Sequence, residues 1–90
     1  MDLFQTSRFA KAYKKLQKKE LSAVQKEISK IQQDPTLGVQ KTGVLAKVKV
    51  HKFKFEKQLK LVAYVVDTGR ITFIAYGSHE NFYRDIERGL

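Results

Sequence analysis

Hydrophobic residues along this chain repeat with a helical period in its first third and a strand period afterwards. Leu3 and Phe4 supply the apolar content of a short opening strand over residues 2–6. Ser7 stands where an N-cap is expected, and Phe9, Tyr13 and Leu16 then lie on one stripe of a helix. Leu21, Val24, Ile28 and Ile31 form a second stripe, rotated by roughly 70° from the first at about 100° per residue. One straight helix would bury both stripes poorly, so a break or tight hairpin is expected near residues 17–20. Asp34-Pro35 ends the second helix, because the residue before proline avoids the α region. Residues 36–43, with two glycines, read as a loop.

From Val44 the period becomes two. Ala46, Val48 and Val50 alternate with Lys47, Lys49 and His51. The parity then flips to Phe53 and Phe55 as the apolar positions. A β-bulge near His51-Lys52 would put Lys47, Lys49, His51, Lys52 and Lys54 on one face, and a strand twisting out of the sheet at Lys52 is the alternative. Glu56-Lys57 makes a tight turn. The nearly continuous apolar run 58–66, interrupted by Lys60, suits a central strand covered on both faces. Asp67 to Arg70 is a hairpin turn with Gly69 as its left-handed residue. A strand over 70–76 follows, closed by Gly77-Ser78, and Ser78 then caps a final short helix that Gly89 stops. The expected fold is α+β over a single domain, residues 1–90. An N-terminal helical hairpin packs on a small antiparallel sheet, in the order β-α-α-β-β-β-α.

Composition narrows the function. Eighteen Lys plus Arg against nine Asp plus Glu leave a net charge of +9 on 90 residues, which points to nucleic acid, an anionic surface or an acidic partner. There are no cysteines, so disulfides and thiolate metal sites are excluded. No apolar run is long enough to span a membrane and no secretory signal is visible, so the expected location is the cytoplasm. No Gly-rich phosphate loop appears, and the acidic residues are scattered without a convincing divalent-metal set. No cofactor is expected.

The chemistry then rests on proton-transfer groups and lysines. His79 and Tyr83 are four positions apart at the start of the last helix, hence on one face. Cleaving RNA through its own 2′-hydroxyl needs a base, an acid and cations for the charge that builds on phosphorus. His79 and Tyr83 can move the protons, His51 is a second candidate, and Lys52, Lys54 and Lys60 are candidate phosphate clamps. Each has a plainer reading. His79 can be a solvated first-turn residue, Tyr83 a member of a core stripe with Tyr76, Phe82 and Ile86, and His51 a cross-strand filler. The lysines can be a wet sheet face, although like charges opposite one another destabilise a sheet.

The segments 60–66, KLVAYVV, and 75–83, AYGSHENFY, carry a resemblance to the RelE/ParE superfamily of toxins from bacterial toxin–antitoxin systems. It extends over the whole chain, and the Gly-x-His-x-x-x-Tyr ending is typical of the superfamily. The RelE branch cuts messenger RNA in the ribosomal decoding site, without a metal, by 2′-hydroxyl attack; the ParE branch poisons DNA gyrase. By position, Lys52 and Lys54 match the basic strand residues of the RNA-cutting branch, His79 its C-terminal histidine and Tyr83 its C-terminal Tyr or Phe. Lys60 stands where that branch often has an arginine, and lysine cannot repeat an arginine's bidentate grip on phosphate. Residues 77–83 contain no arginine, where the prototype has one. Taken together with the reading of the residues themselves, the resemblance makes a ribosome-dependent endoribonuclease the expected function, with His79, Tyr83, His51 and Lys54 as catalytic residues. Lys47, Lys49, Lys52 and Lys60 would bind RNA phosphate. Its implied partners are the ribosome with its mRNA and a cognate antitoxin, through which alone it would reach operator DNA. A gyrase inhibitor and a catalytically silent RNA-binding module are the competing readings.

Overall fold

The computed structural model describes residues 1–43, 46–79 and 82. The elements are β1 (Asp2–Gln5), α1 (Ser7–Lys14), α2 (Lys18–Gln33), β2 (Val39–Gln40), β3 (Lys49–Phe55), β4 (Gln58–Asp67) and β5 (Arg70–Ser78). Thr6, rather than Ser7, caps α1: its Oγ1 accepts the Phe9 N–H at 3.2 Å and donates to the Ile74 carbonyl at 3.1 Å. One side chain thus starts the helix and ties it to the sheet. The two apolar stripes belong to two helices, as their rotation requires, and the chain turns between them at residues 15–17. Asp34 stops α2 before Pro35, and its Oδ1 accepts the backbone and hydroxyl of Thr36.

The five strands run in the order β1-β5-β4-β3-β2. The sheet is mixed rather than purely antiparallel, because β1 enters beside β5 and runs parallel to it. A short opening strand carries no signal of its partner, so this pairing was not legible. The two-residue β2 lies inside the expected loop, and β3 begins at Lys49, later than its alternation suggested. β5 runs on to Ser78, past the expected strand end at residue 76, so Ser78 is a strand residue and His79 follows it in a turn. Val44 and Leu45 lie outside the described residues, as does the rest of the expected final helix apart from Phe82, which is buried.

β4 is central and covered on both faces. On the helix side Val62 and Tyr64 pack with Phe9, Ile31, Ile71 and Phe73. On the other side Leu61 and Ala63 pack with Val48, Val50, Ala75 and Phe82. A bulge does exist, but in β5: Ala63 pairs with Ala75 and Tyr64 with Phe73, which leaves Ile74 without a partner in β4. Ile74 and Ala75 consequently both turn away from the helices, and Tyr76 returns to the helix side.

The turns follow backbone chemistry. Gly69 takes φ +69° between β4 and β5. Between β3 and β4, Glu56 and Lys57 take φ +49° and +69° without a glycine, a left-handed pair that matches the twist of a two-residue hairpin.

Candidate functional site

The site is built from β3. Its pairing with β4 is unshifted from Lys49↔Tyr64 to Phe55↔Gln58, so side chains alternate strictly. Lys49, His51, Phe53 and Phe55 take the helix side; Val50, Lys52 and Lys54 take the other. The expected bulge at His51-Lys52 is therefore absent; Lys49 and His51 are on one face, Lys52 and Lys54 on the other, and Lys47 lies in the turn before the strand. The parity flip has a different cause. The outer face is covered at the start of β3, where Val48 and Val50 join the second core, whereas Phe53 further along packs on the helix-side core.

His51 is held by α2. Its Nε2 stands 2.7 Å from Oε1 of Glu27, both side chains being nearly buried, and Lys30 Nζ is 3.1 Å from Oε2 of the same carboxylate. Burial pushes the Glu27 carboxyl up, but hydrogen bonds from His51 and Lys30 and their positive charge outweigh it, so the group is held below the ordinary carboxylate range. The His51 ring stacks on Phe53, and Phe53 on Tyr76. Tyr76 donates its hydroxyl to Glu20 Oε2 at 2.5 Å, and Lys60 Nζ lies 3.5 Å from that oxygen with its side chain 13% exposed. Burial, then the hydrogen bond to Glu20 and its charge, drives the Tyr76 phenol far above its ordinary value. The phenol stays protonated at any physiological pH. His51 and Lys60 thus each sit against a glutamate beneath the helices.

Lys52 and Lys54 are exposed on the opposite face and make no ion pair with any described residue. Lys54 pairs in register with Leu59, and the His79 N–H donates to the Leu59 carbonyl at 3.2 Å. Lys54, Leu59 and His79 therefore form one row across three chain segments. Beside it runs the row Lys52, Leu61 and Gly77. Two exposed lysines and an exposed turn bearing an imidazole thus occupy neighbouring rows at one corner of the sheet, and groups of these kinds hold phosphate and transfer protons. Lys47 and Lys49 lie at the far end of β3, where they line a recess of about 410 Å³ with Gln40, Ala46, Val65, Val66 and Asp67. Tyr83 lies outside the described residues. Among the described residues no three His, Asp or Glu side chains converge on a point where a metal ion could bind.

Glu20 and Glu27 escaped the sequence reading. The signal was present: both fall on the stripe that carries Val24 and Ile31, and a carboxylate on a buried helix stripe calls for a partner.

A helical hairpin on a five-stranded mixed sheet is the fold of a RelE/ParE superfamily toxin. The family model for the ParE-like toxin of type II bacterial toxin–antitoxin systems matches residues 3–87, and the chain belongs to that family. Among solved structures it is similar to E. coli RelE in three settings. The free double arginine-to-alanine mutant gives a TM-score of 0.72 at 19% identity, covering 99% of this chain and 97% of that one. The toxin of the intact E. coli RelBE toxin–antitoxin complex gives 0.69 at 18%, covering 88% and 96%. The isolated toxin in its P21 form gives 0.67 at 18%, covering 99% and 98%. At such identities the likeness is one of fold. A sequence search of curated proteins finds no significant match.

Proposed function

We propose that this toxin is a ribosome-dependent, metal-independent endoribonuclease that cleaves mRNA by attack of the 2′-hydroxyl on the adjacent phosphate. The observation that carries this reading is the row Lys54–Leu59–His79, with Lys52 in the next row. Lys52 and Lys54 bind the scissile and neighbouring phosphates, where positive charge counts most as the phosphorane-like transition state forms. His79 transfers a proton, and Tyr83, four positions on, is its candidate partner. The net charge of +9 supplies the attraction to ribosomal RNA. A cognate antitoxin, of the kind with which E. coli RelE forms the RelBE complex, covers the basic corner and brings the pair to operator DNA. The setting is the cytoplasm; no described helix is long and apolar enough to cross a membrane.

One observation favours the second reading, a gyrase inhibitor without nuclease activity. His51 and Lys60 sit against Glu27 and Glu20, which leaves a smaller set of groups for chemistry than the sequence suggested. The two are separated by mapping mRNA cleavage on programmed ribosomes by primer extension, for wild type, His79→Ala and Tyr83→Phe, beside a gyrase supercoiling assay. Ribosome-dependent cuts that fade in His79→Ala support the nuclease. Intact mRNA with inhibited gyrase overturns it.

A further inference from the structure

We propose that Glu20 is a positioning residue, which fixes from the helix side of the sheet the strand end that presents His79 on the other. As a statement about catalysis this rests on the nuclease reading above; as a statement about structure it does not.

A backbone contact anchors the turn at His79, whose N–H donates to the Leu59 carbonyl at 3.2 Å. Two neighbours of that contact reach Glu20, and a third pairs with one of them. Tyr76, three residues before His79 on β5, donates to Glu20 Oε2 at 2.5 Å. Lys60, next to Leu59 on β4, reaches the same oxygen at 3.5 Å. Ser78, next to His79, is the register partner of Lys60. A single carboxylate oxygen therefore draws together the end of β5 and the start of β4, the two segments that the His79–Leu59 contact joins.

Energetics single out Glu20 among the contacts of α2 at this end. The adjacent Lys19–Glu56 pair is 2.9 Å long but 80% and 58% exposed, and such surface pairs contribute little. Glu20 and Lys60 have side chains only 20% and 13% exposed, where removing one member leaves the other poorly solvated. Phe53 stacks on Tyr76 at a centroid distance of 6.3 Å, so the phenol has little freedom to find another acceptor. The bulge at Ile74 makes the arrangement possible: it returns Tyr76 to the helix side just before the chain reaches His79.

The test is amide hydrogen exchange by NMR on the free toxin, on wild type, Glu20→Ala, Glu20→Gln and Tyr76→Phe. Tyr76→Phe keeps the ring and its stacking, so it remains informative should Glu20→Ala fold poorly. In Glu20→Ala and Tyr76→Phe, exchange at the His79 amide is expected to rise about tenfold while Val62 and Ile71 in the core keep their wild-type rates. Glu20→Gln, whose amide oxygen still accepts from Tyr76, should remain within about threefold of wild type. An unchanged His79 amide, or an equal rise at His79, Val62 and Ile71, overturns the proposal, the latter because it reports general destabilisation. On programmed ribosomes the same Glu20→Ala and Tyr76→Phe variants should lower kcat on the order of tenfold with KM unchanged, as displaced catalytic groups do. Wild type that leaves mRNA intact sinks the nuclease reading alone, since the exchange pattern stands or falls separately.

Discussion

His51 Nε2 and Glu27 Oε1 stand 2.7 Å apart across the gap between β3 and α2, and this contact changes what a histidine in a basic strand means. On sequence alone His51 belonged with the lysines that flank it. In the fold it faces the opposite way from Lys52 and helps to fasten a helix to the sheet.

The first consequence concerns acid. Glu27 is held below its ordinary value near 4.5 despite its burial, by the bonds and charges of His51 and Lys30. A carboxyl whose folded value is depressed stabilises the fold fully above its unfolded value and loses that contribution as pH falls through the folded one. Urea midpoints should therefore decline below about pH 4.5, and Glu27→Gln should flatten that acid limb. At neutral pH, Glu27→Ala should cost about 1–3 kcal/mol, measured by urea unfolding.

The two histidines should separate cleanly. His79→Ala is expected to leave the urea midpoint in place and to lower mRNA cleavage on ribosomes by roughly 10² to 10⁴. His51→Ala should do the reverse, losing about 1–2 kcal/mol of stability while keeping most of the cleavage per folded molecule.

The lysines divide by face in the same way. Lys52→Ala with Lys54→Ala should stay within about 0.5 kcal/mol of wild type in stability. Their RNA affinity should fall, and the slope of log affinity against log salt should shrink by about 1–2. Lys60→Ala, which strips Glu20 of its cation, should lose about 1–2 kcal/mol and leave the salt slope unchanged. Salt titrations of RNA binding alongside urea unfolding check both halves.

Tyr64 makes the sharpest prediction about the fold. Its fully buried side chain accepts the Gly38 N–H at 2.8 Å and donates to the Pro35 carbonyl at 2.9 Å, closing the loop after α2. Tyr64→Phe should cost about 1–2 kcal/mol in urea unfolding. Gly38→Ala should cost about 1–3 kcal/mol, because a Cβ there would lie 2.7 Å from the Tyr64 hydroxyl and 2.9 Å from its ring.

Elements with a sustained period were legible in the sequence. The rotated stripes of Phe9–Leu16 and Leu21–Ile31 announced two helices, and the apolar run of β4 announced a strand buried on both faces. Pairings between distant segments were not legible. Nothing in Asp2–Gln5 says that its neighbour is β5, and nothing in Val39–Gln40 says that it pairs at all. The bulge was sought in β3 because its hydrophobic parity flips there, yet that flip records a change in which face is covered. In β5 the consecutive Ile74 and Ala75 on one face were the signal. For the site, residue types were legible and their sides were not, since the face a lysine takes depends on register, and register is a property of two strands.

The parallel pairing of β1 with β5 also sets an order of events. Thr6 and Ile74, which bond through Thr6 Oγ1, are 68 residues apart, and contacts between such distant segments form slowly because a long loop must close first. In a growing chain Leu3 and Phe4 precede β5, the strand that receives them, by the two helices and three strands described between β1 and β5. The last of the described strands thus does two things at once: it completes the sheet for the first and brings His79 into the row of Leu59 and Lys54.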